Sequence, residues 1–255
     1  MKRKRYTPEE KARIVLLGLR SPGTGRARVF GPETLEPLVR RVLRELPPVA
    51  GHRRVRIRLR KRGIALSEST AYRVCRDLGL LVPRRGRGRR RKVELIRVEG
   101  PNLAWVVDTT EWHLADGEKV YAYLAVDAFS RFCPALMAAT SEDAFHTVRF
   151  YEDAFREGAP AAVHTDGGRE FDNRDARAYL REREVRYRVG PPHTPKAQAF
   201  VERFVRTLKE EWLVYRDPRS IKELQGCLDA FRTWYDRERE HSSLDYRMPE
   251  AVHHA

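Results

Sequence analysis

Ala161-Ala162-Val163-His164-Thr165-Asp166-Gly167-Gly168 is a short apolar run that ends on a carboxylate and two glycines. A run this short, without helical periodicity and closed by a turn signal, reads as a buried strand over Ala161–Thr165. Toward the N-terminus, Leu103–Thr110, Val120–Asp127 and Phe132–Ala138 are three β-rich runs in close succession, as in a meander. Around and beyond the quoted strand, the spacing predicts helices over Ser141–Glu157, Arg174–Glu184 and Ala197–Leu213, with a further strand over Val185–Val189. Three successive strands followed by alternating helices and strands predict an α/β fold, a mixed sheet with helices on both faces.

Three acidic residues stand where acid is costly. Asp108 ends the apolar run Trp105-Val106-Val107, Asp166 ends the quoted strand, and Glu202 lies beside Phe200, Val201 and Phe204 on the last predicted helix. A carboxylate at the end of a buried strand needs a partner or becomes neutral. A shared divalent cation is such a partner, and oxygen ligands from Asp and Glu suit magnesium. Taken singly, each has a plainer reading: Asp before Gly-Gly is a common turn residue, and a helical Glu commonly faces water. As a set they are expected to converge on one divalent-ion site.

The front of the chain differs in composition. Residues 1–98 carry 29 Lys and Arg against 8 Asp and Glu, a net of +21, whereas residues 99–255 carry 22 against 28, a net of −6. One part is thus suited to hold a polyanion and the other to hold cations. Thr7-Pro8-Glu9-Glu10 is a helix start. Leu35, Leu38, Val39, Val42, Leu43 and Leu46 recur at helical spacing up to Pro47-Pro48. Gly51–Gly63 is ambiguous, because Val55, Ile57 and Leu59 fit both a strand and a helix. Ser67 reads as an N-cap, Ala71, Val74, Cys75 and Leu78 as a buried stripe, and Gly79 as the helix end. Ser69, Thr70, Arg73 and Arg76 fall off that stripe, where a recognition helix would contact a major groove. The stretch PRRGRGRRRK, residues 83–92, reads as a basic linker whose Arg84, Arg85, Arg87, Arg89, Arg90, Arg91 and Lys92 lie along phosphates. No run of 18 apolar residues suggests a membrane span, and no apolar stretch and cleavage site follow the basic start. Cys75, Cys133 and Cys227 are odd in number and form no CxxC pair, which fits a reducing cytoplasm.

From Trp105 to about Pro249 the chain resembles the ribonuclease-H-like catalytic core of DDE-type insertion-sequence transposases and retroviral integrases. The residues that carry the resemblance are Trp105-x-x-Asp108-x-Thr110, Asp127-Ala128-Phe129-Ser130-Arg131, His164-Thr165-Asp166-Gly167-Gly168-x-Glu170-Phe171, and Thr194-Pro195-Lys196 followed by Val201-Glu202-Arg203-Phe204-x-Arg206-Thr207-Leu208-Lys209. Asp166 and Glu202 have 35 residues between them, the spacing for which this family is known. The tail, from Tyr235-Asp236 through Arg239, His241-Ser242-Ser243-Leu244 and Pro249, resembles the end of bacterial insertion-sequence transposases. Gly51-His52-Arg53-Arg54 through Leu78-Gly79-Leu80 resembles the helix-turn-helix that precedes such cores, and by that likeness Gly51–Gly63 is helical.

The resemblance implies a ribonuclease-H-like five-stranded mixed sheet preceded by a small helical domain. Its implied parts are a helical DNA-binding region at 1–82 with a helix-turn-helix at about 51–82, a linker at 83–99, the catalytic core at 100–214 and a helical tail at 215–255. It implies metal-dependent cleavage and joining of DNA. Asp108, Asp166 and Glu202 would be both the catalytic residues and the ligands of two magnesium or manganese ions, and Lys209, Gln198 and Arg206 would contact DNA. The implied partners are double-stranded transposon ends and target DNA, with a homodimer or larger assembly, in a bacterial cytoplasm. Within the family, Asp127 is read as structural, His164 as a packing residue and His241 as a tail contact. Gly167 stands where relatives often carry Asn, and Val205 also replaces an Asn. Two alternatives share these motifs: a nuclease of the same fold, and a DNA-binding repressor with an inactive core. The intact Asp108, Asp166 and Glu202 set speaks against the second.

Overall fold

The computed structural model describes residues 32–46, 51–81, 98–156, 158–190 and 195–255, with side chains from Leu35 in the first stretch and from Phe200 in the last. The helix expected at Thr7 and the basic linker from Arg84 to Lys92 lie outside the described residues. The rest falls into two compact units divided at Gly88/Arg89.

The first unit is helical: α1 is Pro32–Leu43, α2 is His52–Lys61 and α3 is Glu68–Asp77. Leu35, Val39, Val42 and Leu46 of the first helical stretch, Val55 and Leu59 of α2, and Val74 and Cys75 of α3 bury one shared cluster. The ambiguous Gly51–Gly63 segment is a helix because Val55 and Leu59, one turn apart, are its fully buried residues. Ser67 caps α3 by accepting the Thr70 N–H at 3.1 Å. Gly79, at φ 67°, ends α3: its N–H reaches the Arg76 carbonyl at 2.9 Å and that of Leu80 the Cys75 carbonyl at 2.8 Å. This paired closure needs a left-handed residue after the cap, and glycine takes that conformation without steric cost.

The second unit is built on a five-stranded sheet in the order β3-β2-β1-β4-β5. Its strands are β1 (Trp105–His113), β2 (Lys119–Asp127), β3 (Leu136–Ala139), β4 (Ala162–Thr165) and β5 (Arg186–Val189). The first three form the antiparallel meander, while β4 pairs parallel with both β1 and β5. The helices are α4 (Ala144–Ala154), α5 (Arg174–Glu182), α6 (Pro195–Glu211), α7 (Ile221–Arg237) and α8 (Pro249–His253). Asp143 and Asn173 cap α4 and α5 by accepting the N–H of His146 and Ala176, and for α4 this sets a later start than the periodicity suggests.

Side chains alternate along each strand, so the sheet has a core on each face. Val106, Ala122, Leu124 and Val126 pack with Val201, Phe204 and Leu208 of α6 and Leu224, Leu228 and Phe231 of α7. Trp105, Val107, Tyr123, Ala125 and Val163 pack on the other face with Phe150 and Tyr151 of α4, Tyr179 and Leu180 of α5, and Phe171. No helix among the described residues is long and apolar enough to cross a membrane.

Candidate active site

Strand register brings the first two carboxylates level. Val106 of β1 is paired with His164 of β4, the last pair between these strands. Two residues farther along each, Asp108 lies within β1, not at its end as the apolar run suggests, and Asp166 lies just past the end of β4, so the register sets the two level. Paired strands lie about 4.8 Å apart. Asp108 shares the face of Val106, the side on which α6 packs. It is half-buried, and its Oδ1 accepts the Thr109 N–H at 2.9 Å. Burial pushes its carboxyl up to about 7, with the nearby charges of Asp166, Glu170 and Glu142 adding to the shift and the Thr109 N–H opposing it.

Asp166 is exposed just beyond β4, and its Oδ1 accepts the Gly168 N–H at 2.9 Å. Gly167 between them adopts φ 89°, and a Cβ there would come within 2.8 Å of Val189 Cγ1. A Cβ on Gly168 would overlap the Glu170 carboxylate. The two glycines thus let the chain turn sharply behind Asp166 while Glu170 folds back over it.

Three further residues, which the motifs do not single out as site residues, join this end of the sheet. Thr109 Oγ1 donates to Glu142 Oε1 at 2.5 Å and lies 3.4 Å from Glu170 Oε1. The Glu170 carboxyl is raised, first by burial and then by Glu142 and Asp166. The local signal for Glu170 is its place in the Asp166 motif; nothing local marks Thr109 or Glu142, because their contact joins two segments 33 residues apart. Among the described residues, Asp108, Asp166, Glu142 and Glu170 make no ion pair. Asp166, Glu170 and Glu142 lie near enough for their charges to act on Asp108, and oxygen ligands of this kind suit a hard divalent ion.

Glu202 lies on α6, exposed on the flank beside buried Val201 and Phe204, and so on the same side of the sheet as Asp108. Among the described residues no three His, Cys, Asp or Glu side chains are gathered as a metal-holding group. Arg206 is exposed on α6, Lys209 is half-buried near its end, and the side chain of Gln198 lies outside the described residues. The charge of Lys209 acts on Glu111 of β1, while Glu211 pairs with Arg239 at 3.3 Å.

Asp127 is fully buried, and its donors account for it. Oδ1 accepts the N–H groups of Phe129 and Ser130 at 3.0 and 2.7 Å and the Ser130 hydroxyl at 2.8 Å, and Oδ2 accepts the Asn102 N–H at 2.8 Å. His241 is buried in the tail, edge-on to Tyr235 at 4.6 Å. On α3 of the first unit, Ser69, Arg73 and Arg76 are exposed and Thr70 is half-buried. Ser69 and Thr70 hydroxyls both contact the Ser67 cap, at 3.0 and 2.8 Å, and Arg76 pairs with Asp77 at 2.8 Å. Tyr72, 45% exposed on the same helix, is an aromatic surface residue that apolar spacing does not single out.

Residues 98–195 and 183–249 match two family profiles, both described as integrase core domain, which together span more than half of the chain. The chain is 27% identical over 206 residues to an uncharacterized 31.7 kDa protein of insertion element IS407 from Burkholderia multivorans, covering 78% of this chain and 73% of that protein. It is 28% identical over 232 residues to a probable transposase for insertion sequence element IS1353 from Shigella flexneri, covering 80% of this chain and 43% of that protein. Among solved structures, the HTLV-2 integrase catalytic core domain in complex with magnesium shares the fold, with a TM-score of 0.52 and 17% identity over 62% of this chain and 100% of that one. A chain of a simian T-cell lymphotropic virus intasome aligns with a TM-score of 0.56 and 15% identity, over 88% of this chain and 75% of that one.

Proposed function

Over residues 98–249 this chain belongs to the integrase core family, and from that premise we propose that it cuts and joins DNA as the transposase of an insertion element. The observation that carries the reading is the strand register that puts Asp108 and Asp166 level, with the charge of Asp166 acting on the buried Asp108 carboxyl. Asp108, Asp166 and Glu202 would hold divalent ions, magnesium or manganese. When bound, such ions activate an attacking water or 3′-hydroxyl and stabilise the leaving oxygen of a phosphodiester. Asp108 contributes a carboxylate whose burial favours taking up a cation over remaining as an uncompensated charge. Glu202, exposed on α6, is free to approach from the same side of the sheet.

DNA would be held by both units. In the first, Arg73 offers an exposed guanidinium from α3, with Arg76, Ser69 and Thr70 alongside, and the linker arginines add phosphate contacts. In the second, Lys209, Arg206 and Gln198 lie on the same helix as Glu202 and would position the DNA end. The simian viral relative forms an intasome; by analogy this chain would act as a homodimer or larger assembly on paired ends.

Magnesium-dependent nicking and joining of a plasmid that carries the element's ends tests the proposal. The wild-type chain should nick and join, and Asp108→Asn should do neither while shifting DNA in a gel as the wild type does. Nicking without joining would make the protein a nuclease. DNA binding with no magnesium-dependent nicking by the wild type would overturn the catalytic reading.

A further inference from the structure

The two faces of the sheet are not equally covered. On the α4 and α5 side, Val163 of β4 enters the core and Tyr187 of β5 packs against it. On the α6 and α7 side, no described residue of β4 or β5 joins the buried cluster, which draws its sheet residues from the meander. Register shows which residues face that uncovered side. Val106 is paired with His164, and His164 with Arg188; Ala162 is paired with Arg186. Alternation then puts His164, Arg186 and Arg188 on the face that also bears Asp108 and Asp166.

The charge of this strip is distinctive. Arg186 and Arg188 are both exposed, and neither makes an ion pair among the described residues. Other arginines nearby are engaged: Arg177 pairs with Asp172, and Arg183 lies 3.6 Å from the Tyr179 ring centroid. The hydrogen bond that Arg186 makes is a long one, Nε to the Ala161 carbonyl at 3.4 Å. Successive same-face residues on a strand are spaced by about 6.6 Å. Arg186 and Arg188 therefore follow one another along β5 toward Gly190, the position level with Asp166 of the neighbouring strand.

We propose that this strip, His164 with Arg186 and Arg188, seats the phosphodiester backbone of the DNA that leads into the carboxylate end of the sheet. The occupant follows from charge: two guanidiniums with no carboxylate partner among the described residues, on an open strip, match the phosphates of a strand, and guanidinium is suited to bidentate phosphate contact. The direction of the path, toward Asp108 and Asp166, rests on the catalytic reading above; the presence of DNA on the strip does not.

The test uses the full chain and a fluorescein-labelled DNA duplex of mixed sequence, because backbone contacts are independent of sequence. Affinity is measured between about 50 and 200 mM salt. Replacing Arg186→Ala and Arg188→Ala together should flatten the slope of log affinity against log salt by about 1.8, that is about 0.9 for each phosphate left without its arginine, and Arg188→Ala alone by about half of that. The double lysine variant, which keeps the charge and guards against a folding defect, should keep the slope. Arg156→Ala, a charge removed at the end of α4 on the other side of the sheet, should leave it unchanged. A wild-type slope in the double alanine variant would overturn the proposal. Magnesium-dependent nicking is assayed on the same preparations: a flattened slope without wild-type nicking would retain the strip and sink the catalytic reading, whereas nicking with an unaltered slope would sink the strip alone.

Discussion

Asp127 takes four hydrogen bonds on two oxygens at a fully buried site. Three of its donors belong to Phe129 and Ser130, and the fourth, the Asn102 N–H, ties the end of β2 to the segment before β1. Asp127→Asn must turn an NH2 toward one of these N–H or O–H groups and leave buried donors unpaired, at about 1–3 kcal/mol each. The variant should therefore unfold at lower urea while still nicking DNA below its transition; lost nicking with unchanged stability would make Asp127 a ligand instead. Asp108 is the opposite case, a carboxyl raised to about 7 by burial and by its acidic neighbours. The unfolded value is about 3.9, so the folded state holds the proton more tightly. The stability this contributes is present below about pH 4 and is lost as pH rises through about 7. In the presence of a chelator, Asp108→Asn should thus melt higher than wild type at pH 8, with the difference shrinking toward pH 4. Magnesium at pH 8 should raise the wild-type melting temperature more than that of the variant. Parallel melting curves of the two proteins would refute the assignment.

At the scale of elements, β3 is an outer strand, and an unpaired strand edge invites association with other chains. Gln225 of α7 occupies that edge: its Oε1 accepts the Ala138 N–H at 2.7 Å and its Nε2 donates to the Leu136 carbonyl at 3.0 Å. Gln225→Ala frees both backbone groups, and a loss of about 1–3 kcal/mol in urea unfolding is expected, with faster growth of light scattering on warming. Unchanged values would mean that water serves the edge equally well. On α6, Lys209 follows Glu202 by seven residues, which puts both on nearly the same flank about 10 Å apart. Its charge acts on Glu111, which already pairs with Lys119 at 2.6 Å, so structure alone gives it little to do. Lys209→Ala should leave stability within about 0.5 kcal/mol. If it positions the DNA end, the DNA concentration needed for half-maximal joining should rise while the rate at saturating DNA is largely kept; an unchanged concentration would make it a surface residue.

At the scale of the molecule, each unit encloses its own apolar packing, and the positive charge lies in the front of the chain, with +21 in residues 1–98 and −6 in residues 99–255. Residues 98–255 alone should therefore fold, with the melting transition that the second unit shows in the full chain. Their DNA binding should be less sensitive to salt than that of the full chain by about 3–4 units of log–log slope, if the linker arginines make about four phosphate contacts. Equal slopes would place the main DNA contacts in the core.

By itself the sequence determined what depends on neighbours along the chain. Three β-rich runs in close succession marked the meander, the Ser67 cap and Gly79 bounded α3, and Asp127-x-x-Ser130 held three of the four donors that make its motif structural. These features rest on local backbone geometry and on periods of 2 and 3.6, both written within a few residues. The identity of Gly51–Gly63 was not legible that way, since two apolar periods overlap in it and the burial of Val55 and Leu59 against other helices decides between them. Tertiary structure alone decided that Asp108 and Asp166, 58 positions apart, stand level, because the register of two parallel strands is set by the packing of whole faces. It alone brought Thr109 to Glu142 and Glu170 and left Arg186 and Arg188 exposed on the β4–β5 face that no described residue of α6 or α7 packs against, since which face a helix covers depends on where the chain crosses over.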